Sequence, residues 1–246
     1  MHSPILPKET ELHINAFMRE RPAWKMFVVR DLLYDEAQGE AEHAYPAAHP
    51  YLLGLYYAVK RIARLAPCKV LDIGSPLAQI AALAAIPGIE MSVMDIRPYA
   101  EAEKFEINWI HGNATSIPFP DASWSVFSSL WVMGHVGDGR YGDALDVDGD
   151  VKMIREMGRV LKSGGTAILG PGMIDKECGN IFNIHRIYSW EWLQKQFDIA
   201  GLDLVEKEDF EIASDLFIDP TWDGVNKVFT PMRRPGYYGV CILRKR

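Results

Sequence analysis

One segment in the first third of the chain limits the fold more than any other. Residues 69–84 read KVLDIGSPLAQIAALA, a pattern that predicts a buried strand, a tight turn at Gly74 and a helix. A second apolar strand over residues 91–95 ends in Asp95. In nucleotide-binding half-units of this kind, helix N–H groups face the ligand and the later acid accepts hydrogen bonds from ribose hydroxyls. The segment therefore predicts a parallel α/β sheet with a nucleotide-like ligand at one edge.

The turn after Gly74 differs from a glycine-rich loop, because Pro76 and Ala78 occupy positions where glycine is usual. Pro76 removes an N–H donor, and Ala78 adds a Cβ where the backbone should approach the ligand. One lost hydrogen bond costs about 1–3 kcal/mol, which is roughly a 10- to 100-fold loss of affinity. Proline in the first helical turn can lose a donor that is spare, so the change need not abolish binding.

The rest of the chain alternates between strand and helix patterns. Strands are predicted at 69–73, 91–95, 107–110, 124–130, 166–170, 202–208 and 237–243. Helices are predicted at 77–86, 98–104, 148–162 and 189–200. This order predicts an α/β fold with a doubly wound, mostly parallel seven-stranded sheet and an antiparallel last strand. Residues 1–66 look helical and carry no strand pattern, so we expect an N-terminal helical extension before an α/β domain at 67–246.

Composition and charge narrow the function classes. The net charge of −7 opposes general attraction to nucleic acid. The three cysteines are scattered and have neither a disulfide pattern nor zinc-ligand spacing. The first residues lack a signal-peptide pattern, and no apolar run is long enough for a membrane span. We expect a cytoplasmic protein that has a small-molecule substrate and no bound metal.

Five motifs in order resemble class I S-adenosylmethionine-dependent methyltransferases. They lie at residues 70–74, 93–95, 111–126, 128–135 and 159–166. The resemblance implies a Rossmann-like methyltransferase fold with S-adenosylmethionine as cofactor. Carried over by position, it implies the cofactor-binding residues Asp72, Gly74, Ser75, Asp95, Asn113, Ala114 and Leu130.

A narrower similarity rests on two further motifs. Gly-Arg-Tyr-Gly-Asp at 139–143 and Asn-Ile-His-Arg-Ile-Tyr at 183–188 resemble the signatures of a methyltransferase-fold family known as a domain of unknown function. The similarity implies the fold and not the reaction.

Two polar segments that follow strands supply the candidate substrate site. Residues 134–143 and 183–188 should lie at the carboxyl ends of their strands, where doubly wound sheets bind ligands. His135 and His185 are the candidate catalytic bases, since imidazole titrates near neutrality. The candidate substrate-binding residues are Arg140, Tyr141, Asp143, Asn183, Arg186 and Tyr188. The structural alternatives are a solvated loop for the first segment, a polar network anchoring the next helix for the second, and a capping or core role for His135.

An acidic cluster follows the first of these segments. Asp143, Asp146, Asp148 and Asp150 suggest a calcium loop, but Gly149 is misplaced for that pattern. Helix capping by Asp148 and Asp150 is the favoured interpretation.

Together these features predict methyl transfer from S-adenosylmethionine to an oxygen or nitrogen of a small polar acceptor. One alternative is a non-catalytic methyltransferase-like domain that binds a partner or a sugar-like ligand through residues 134–143 and 183–188. Another is an enzyme of the same fold that uses a nucleotide without methyl transfer. The N-terminal helices are candidates to cover the site or to form a homodimer.

Overall fold

The structure is a computed structural model that describes residues 8–28, 50–99, 102–182, 185–212 and 236–246. The described helices are α1 (Lys8–Glu20), α2 (Pro50–Ile62), α3 (Leu77–Ala84), α4 (Gly149–Val160) and α5 (Trp190–Ile199). The strands are β1 (Lys25–Val28), β2 (Cys68–Ile73), β3 (Ile89–Asp95), β4 (Asn108–His111), β5 (Trp124–Leu130), β6 (Leu161–Ile174), β7 (Gly179–Phe182), β8 (His185–Tyr188), β9 (Leu202–Ile212) and β10 (Gly236–Lys245). Short 3₁₀ helices lie at Ala63–Leu65, Ala102–Phe105 and Met133–His135.

The seven predicted strands form the main part of the sheet. Their spatial order is β4-β3-β2-β5-β6-β10-β9. The neighbours from β4 to β6 are parallel, whereas β10 is antiparallel to both β6 and β9. The doubly wound, mostly parallel sheet with an antiparallel last strand is therefore confirmed.

Three short strands extend this sheet and were not predicted. The last residues of β6 pair with β8, which is antiparallel to β7, and β7 is parallel to β1. The expectation that residues 1–66 carry no strand is thus wrong for Lys25–Val28. The division at residue 67 stays a prediction, although β1 belongs to the same sheet as the later strands.

Successive residues of a strand point to opposite sides of the sheet, so the sheet has two apolar faces. Helices cover both of them. Leu71, Phe127 and Ala167 belong to a buried cluster that includes residues of α4 and α5. Their neighbours Val70 and Val126 belong to a second cluster that includes residues of α2 and α3. In the described part of the chain, no helix is long and apolar enough to span a membrane.

The helix ends show which local signals were correct. Ser189 caps α5, since its hydroxyl accepts a hydrogen bond from the N–H of Trp192 at 3.2 Å. Asp148 occupies the cap position of α4, but its side chain makes no capping hydrogen bond. The predicted capping by Asp148 is therefore corrected. The predicted helix at 98–104 is the 3₁₀ helix Ala102–Phe105.

Candidate functional site

The carboxyl ends of neighbouring strands meet at one edge of the sheet. Gly74 N donates to Met94 O at 3.0 Å, which joins the end of β2 to β3. Gly112 N donates to Asp95 O at 3.0 Å, which joins β3 to the segment after β4. These bonds place the predicted turn at Gly74 and the predicted acid Asp95 along one edge of the sheet.

The turn between β2 and α3 requires glycine. Gly74 has a φ of +64°, a backbone conformation that L side chains rarely adopt. A Cβ at this position would also lie 3.0 Å from the Cγ1 of Val132. Pro76 is the cap residue before α3, and its carbonyl accepts from Gln79 N and Ile80 N. Pro76 thus precedes the residues that donate the first helical hydrogen bonds, so its missing N–H costs the helix nothing.

Asp72 is the centre of a buried network below this turn. Its carboxylate accepts from Ser75 N at 3.1 Å, Ser75 Oγ at 2.8 Å and Ser128 Oγ at 2.5 Å. Burial raises the pKa of Asp72 to about 6, although the two serines oppose the shift. Ser75 Oγ also accepts from Leu130 N at 2.9 Å, so the network joins β2 to β5. Asp72, Ser75 and Leu130 have no exposed surface, and the side chains of Asp72 and Ser75 with the backbone N–H of Leu130 join the two strands.

Asp95 is engaged by a neighbouring arginine. Its Oδ1 accepts from Arg97 N at 2.8 Å and Arg97 Nε at 3.2 Å, and its Oδ2 accepts from Arg97 Nη2 at 2.8 Å. The Asp95 side chain is 4% exposed and that of Arg97 is 31% exposed. The pair with Asp95 keeps the pKa of Arg97 raised in spite of the desolvation that burial imposes. A ribose that bound Asp95 would have to displace this guanidinium.

The two residues predicted to face adenine differ in exposure. Asn113 is exposed, and its Oδ1 accepts from Thr115 N and Thr115 Oγ1, both at 2.9 Å. Ala114 is buried, with 8% of its surface exposed. The Asn113 carbonyl therefore stabilises its own turn.

Several predicted substrate-site residues do come together above this edge. The Tyr141 ring lies 5.4 Å from the ring of His135, and the ring of His135 lies 6.2 Å from that of His185. The guanidinium carbons of Arg97 and Arg140 lie 4.7 Å and 5.7 Å from the centre of the Tyr141 ring. Arg97 thus connects the acid at the end of β3 with the segment predicted to bind substrate.

The two candidate bases have different surroundings. His135 is half-buried and lies in the 3₁₀ helix after β5. His185 is 8% exposed, and its Nε2 lies against the Sδ of Met173. Burial, with a smaller contribution from the charge of Arg140, lowers the pKa of His185 to about 4. His185 is accordingly a neutral imidazole at pH 7.

Asp143 shapes the loop that carries Tyr141. Its Oδ2 accepts from Gly137 N at 2.6 Å, and its Oδ1 accepts from Tyr141 N at 3.3 Å. The carboxylate therefore holds the backbone of the loop, and both of its oxygens are used in doing so.

Arg186 and Tyr188 belong to a buried charge network and not to an open surface. Neither side chain has exposed surface. Arg186 donates to Val136 O at 2.8 Å and to the Asp138 carboxylate at 3.1 Å, and its Nη1 lies 3.1 Å from Asp150 Oδ1. Tyr188 donates to Asp150 Oδ2 at 3.2 Å. This arrangement is the anchoring role that the sequence left open beside the substrate role.

A second arginine completes this network from the N-terminal segment. Arg21 donates to both oxygens of Asp150, at 2.5 Å and 2.9 Å. The two guanidiniums keep the pKa of Asp150 below its ordinary value against the effect of complete burial. We call Arg21, Asp138, Asp150, Arg186 and Tyr188 the buried charge network.

Two features of the site were missed in the sequence, and one predicted residue is not described. Asn183 lies outside the described residues. Arg97 was missed, although its position two residues after the predicted ribose acid was a usable signal. The positive φ of +67° at Trp131, directly after β5, was also missed, and no sequence pattern indicates such a backbone. Among the described residues, no group of three or more His, Cys, Asp or Glu side chains could hold a metal ion.

Solved structures with the same architecture include enzymes of more than one reaction class. 1,6-Didemethyltoxoflavin-N1-methyltransferase from Burkholderia thailandensis, solved with 1,6-didemethyltoxoflavin and S-adenosylhomocysteine, superposes with a TM-score of 0.58 at 12% identity, covering 100% of this chain and 93% of that one. An S-adenosylmethionine-dependent methyltransferase from Methanosarcina mazei gives a TM-score of 0.50 at 17% identity over 72% of this chain and 92% of that one. The [4+2]-cyclase SpnF gives 0.53 at 15% identity over 77% and 80%. These similarities show the Rossmann-like methyltransferase fold.

One family model matches part of the chain. It is described as a Caenorhabditis protein of unknown function, DUF268, and it matches residues 120–213. The matched segment includes residues 139–143 and 183–188. No curated protein matches the chain.

Proposed function

We propose that this protein is an S-adenosylmethionine-dependent methyltransferase that acts on an oxygen or nitrogen of a small polar acceptor. The observation that carries the proposal is the joined edge of β2 and β3, where the Gly74 turn and Asp95 lie side by side. Solved methyltransferases that share the fold support it, one of them with bound S-adenosylhomocysteine.

The residues at this edge fit the cofactor if one side chain moves. Asp95 would accept from the ribose hydroxyls after Arg97 withdraws, and the glycine turn would leave room for the backbone to approach the ligand. The N–H groups of Leu77 and Ala78 precede the first donors of α3 and would face an anionic group at the helix start. When bound, the cofactor would supply an activated methyl group.

The protein's part in such a reaction is alignment and proton removal. His135 is the better candidate base, because it is half-buried beside Tyr141, whereas His185 is buried against Met173. A neutral His185 would pack against His135 without adding a second charge.

Calorimetric titration with S-adenosylhomocysteine tests the proposal. We expect the wild-type chain to bind, and Asp95→Ala to weaken binding by roughly 10- to 100-fold, the effect of losing charge-assisted hydrogen bonds. Asp203→Asn, which removes a carboxylate from an exposed position on β9, should bind like wild type. Absence of heat and of a thermal shift at millimolar ligand would contradict the cofactor assignment.

A second candidate is a methyltransferase-like domain that does not transfer methyl groups. The bidentate pair of Asp95 with Arg97 and the use of Asn113 by Thr115 favour it, since both predicted cofactor acceptors already have protein partners. The [4+2]-cyclase SpnF also has this fold. The same titration separates the two, because this candidate does not require binding of S-adenosylhomocysteine.

A further inference from the structure

The contact between Asp95 and Arg97 limits what else can bind the carboxylate. A carboxylate has about four lone-pair sites, and hydrogen bonds from Arg97 already occupy three of those on Asp95. A ribose diol needs two acceptor positions. The backbone N–H of Arg97 can stay, but at least one guanidinium hydrogen bond has to break before both hydroxyls can bind.

The displaced guanidinium would stay close to the predicted acceptor site. Arg97 already lies near the Tyr99 and Tyr141 rings, at 5.3 Å and 4.7 Å from their centres. Arg140 lies 5.7 Å from the same Tyr141 ring, which in turn contacts His135. Loss of its carboxylate would leave the half-buried Arg97 with an uncompensated positive charge, and a half-buried cation favours a new anionic partner.

We propose that Arg97 is a specificity-determining residue that covers Asp95 until the cofactor binds and then, together with Arg140, binds an anionic group of the acceptor. The anionic group is a carboxylate or a phosphate, and it would lie beside Tyr141, next to His135. The inference rests on the proposed function and deepens it, since it assigns the acceptor to the class of small acids. It also makes binding ordered, with the cofactor first.

The first test compares S-adenosylhomocysteine binding to wild type, Arg97→Gln, Arg97→Lys and Arg19→Gln. We expect Arg97→Gln to bind roughly tenfold more tightly than wild type, because the charged guanidinium that competes for Asp95 is gone. Arg97→Lys should lie between them, since an ammonium cannot form the bidentate contact. Arg19→Gln removes the same charge from a side chain that is 73% exposed and should match wild type. Circular dichroism and thermal melting confirm that each variant is folded.

The second test measures coupling between the ligand and two probe anions, inorganic phosphate and benzoate. In wild type, the matching anion should tighten S-adenosylhomocysteine binding at least fivefold, and S-adenosylhomocysteine should strengthen anion binding by the same factor. Arg97→Gln should abolish this coupling. Coupling to phosphate alone or benzoate alone would identify the group on the acceptor.

The outcomes separate this inference from the function on which it rests. Equal affinity of wild type and Arg97→Gln for S-adenosylhomocysteine, or anions that compete with it or leave it unchanged, would overturn the role of Arg97 and leave the methyltransferase proposal standing. Absence of binding to every variant would overturn both.

Discussion

Two acids at the ends of neighbouring strands have opposite surroundings. Asp72 is completely buried among hydroxyl and N–H donors, and its pKa is raised to about 6. Asp95 lies at the edge and is held by a guanidinium. Both residues match the same resemblance, yet only Asp95 has a geometry from which its partner can be exchanged for a ligand. Cofactor contact therefore stays a stronger prediction for Asp95 than for Asp72.

The buried His185 makes a specific prediction about pH. Because its pKa is lowered to about 4 in the folded chain, the unfolded chain binds the proton first as the pH falls below about 6.5. The contribution of neutral His185 to the free energy of unfolding is therefore complete above about pH 6.5, and it is lost progressively as the pH falls to about 4. His185→Gln should remove it, so that between pH 7.5 and 5 wild type loses roughly 2 kcal/mol relative to the variant, as measured by urea unfolding.

Wild type has to be compared with His185→Gln because Asp72 changes the free energy of unfolding with pH in the opposite direction. Its raised pKa stabilises the folded chain at low pH, and that stabilisation is lost as the pH rises toward 6. In a pH profile of wild type by itself, the effects of His185 and Asp72 on the free energy of unfolding offset each other. His111→Gln, at an exposed position, controls for the loss of an imidazole. Parallel pH profiles of wild type and His185→Gln would contradict the assignment.

At the scale of elements, α2 packs closely against Trp131, the residue that follows β5. A Cβ at Gly54 would lie 2.1 Å from the indole of Trp131, so the glycine lets the helix contact this ring. Trp131 also packs edge-on against Tyr238 of β10, at 5.1 Å between ring centres. The helix therefore packs against Trp131, the strained residue that follows β5 at the candidate site.

Gly54→Ala should destabilise the fold by about 1–3 kcal/mol, the usual cost of overpacking a filled core. Thermal unfolding measures the loss. Leu52→Ala, on the same helix and 56% exposed, should cost less than about 0.5 kcal/mol. A Gly54→Ala variant as stable as wild type would show that Trp131 is free to move away from α2.

The elements that could be predicted are those with a pattern of their own. The seven strands of the main sheet have apolar runs or turn signals, and the glycine turn and the Ser189 cap depend on residues near in sequence. The strands β1, β7 and β8 have only four residues each, and β1 is defined by pairing with β7, which lies far along the chain. The role of Arg186 was hidden for the same reason, because its partners Asp138 and Asp150 are 48 and 36 residues away.

At the scale of the whole molecule, the buried charge network joins the N-terminal segment to the candidate site. Arg21 follows α1, Asp150 lies in α4 and Arg186 lies in β8. Arg186 also holds the carbonyls of Val136 and Asp146, which flank the loop that carries Tyr141. Docking of the N-terminal segment and the shape of this loop therefore depend on the same contacts.

Arg21→Met should cost about 3 kcal/mol or more, since it removes one partner of a buried ion pair. Arg19→Met, two residues earlier and exposed, should change stability by less than about 0.5 kcal/mol. Urea unfolding measures both. A similar small effect of the two substitutions would mean that the Arg21 contact with Asp150 contributes little to stability.

The network divides unequally along the chain. Residues 120–213 contain both carboxylates and the guanidinium of Arg186, whereas the second guanidinium comes from residue 21. Produced alone, that stretch would enclose one negative charge more than it can neutralise. Without a cation at the position that Arg21 fills here, Asp150 would have to become exposed to solvent or take up a proton.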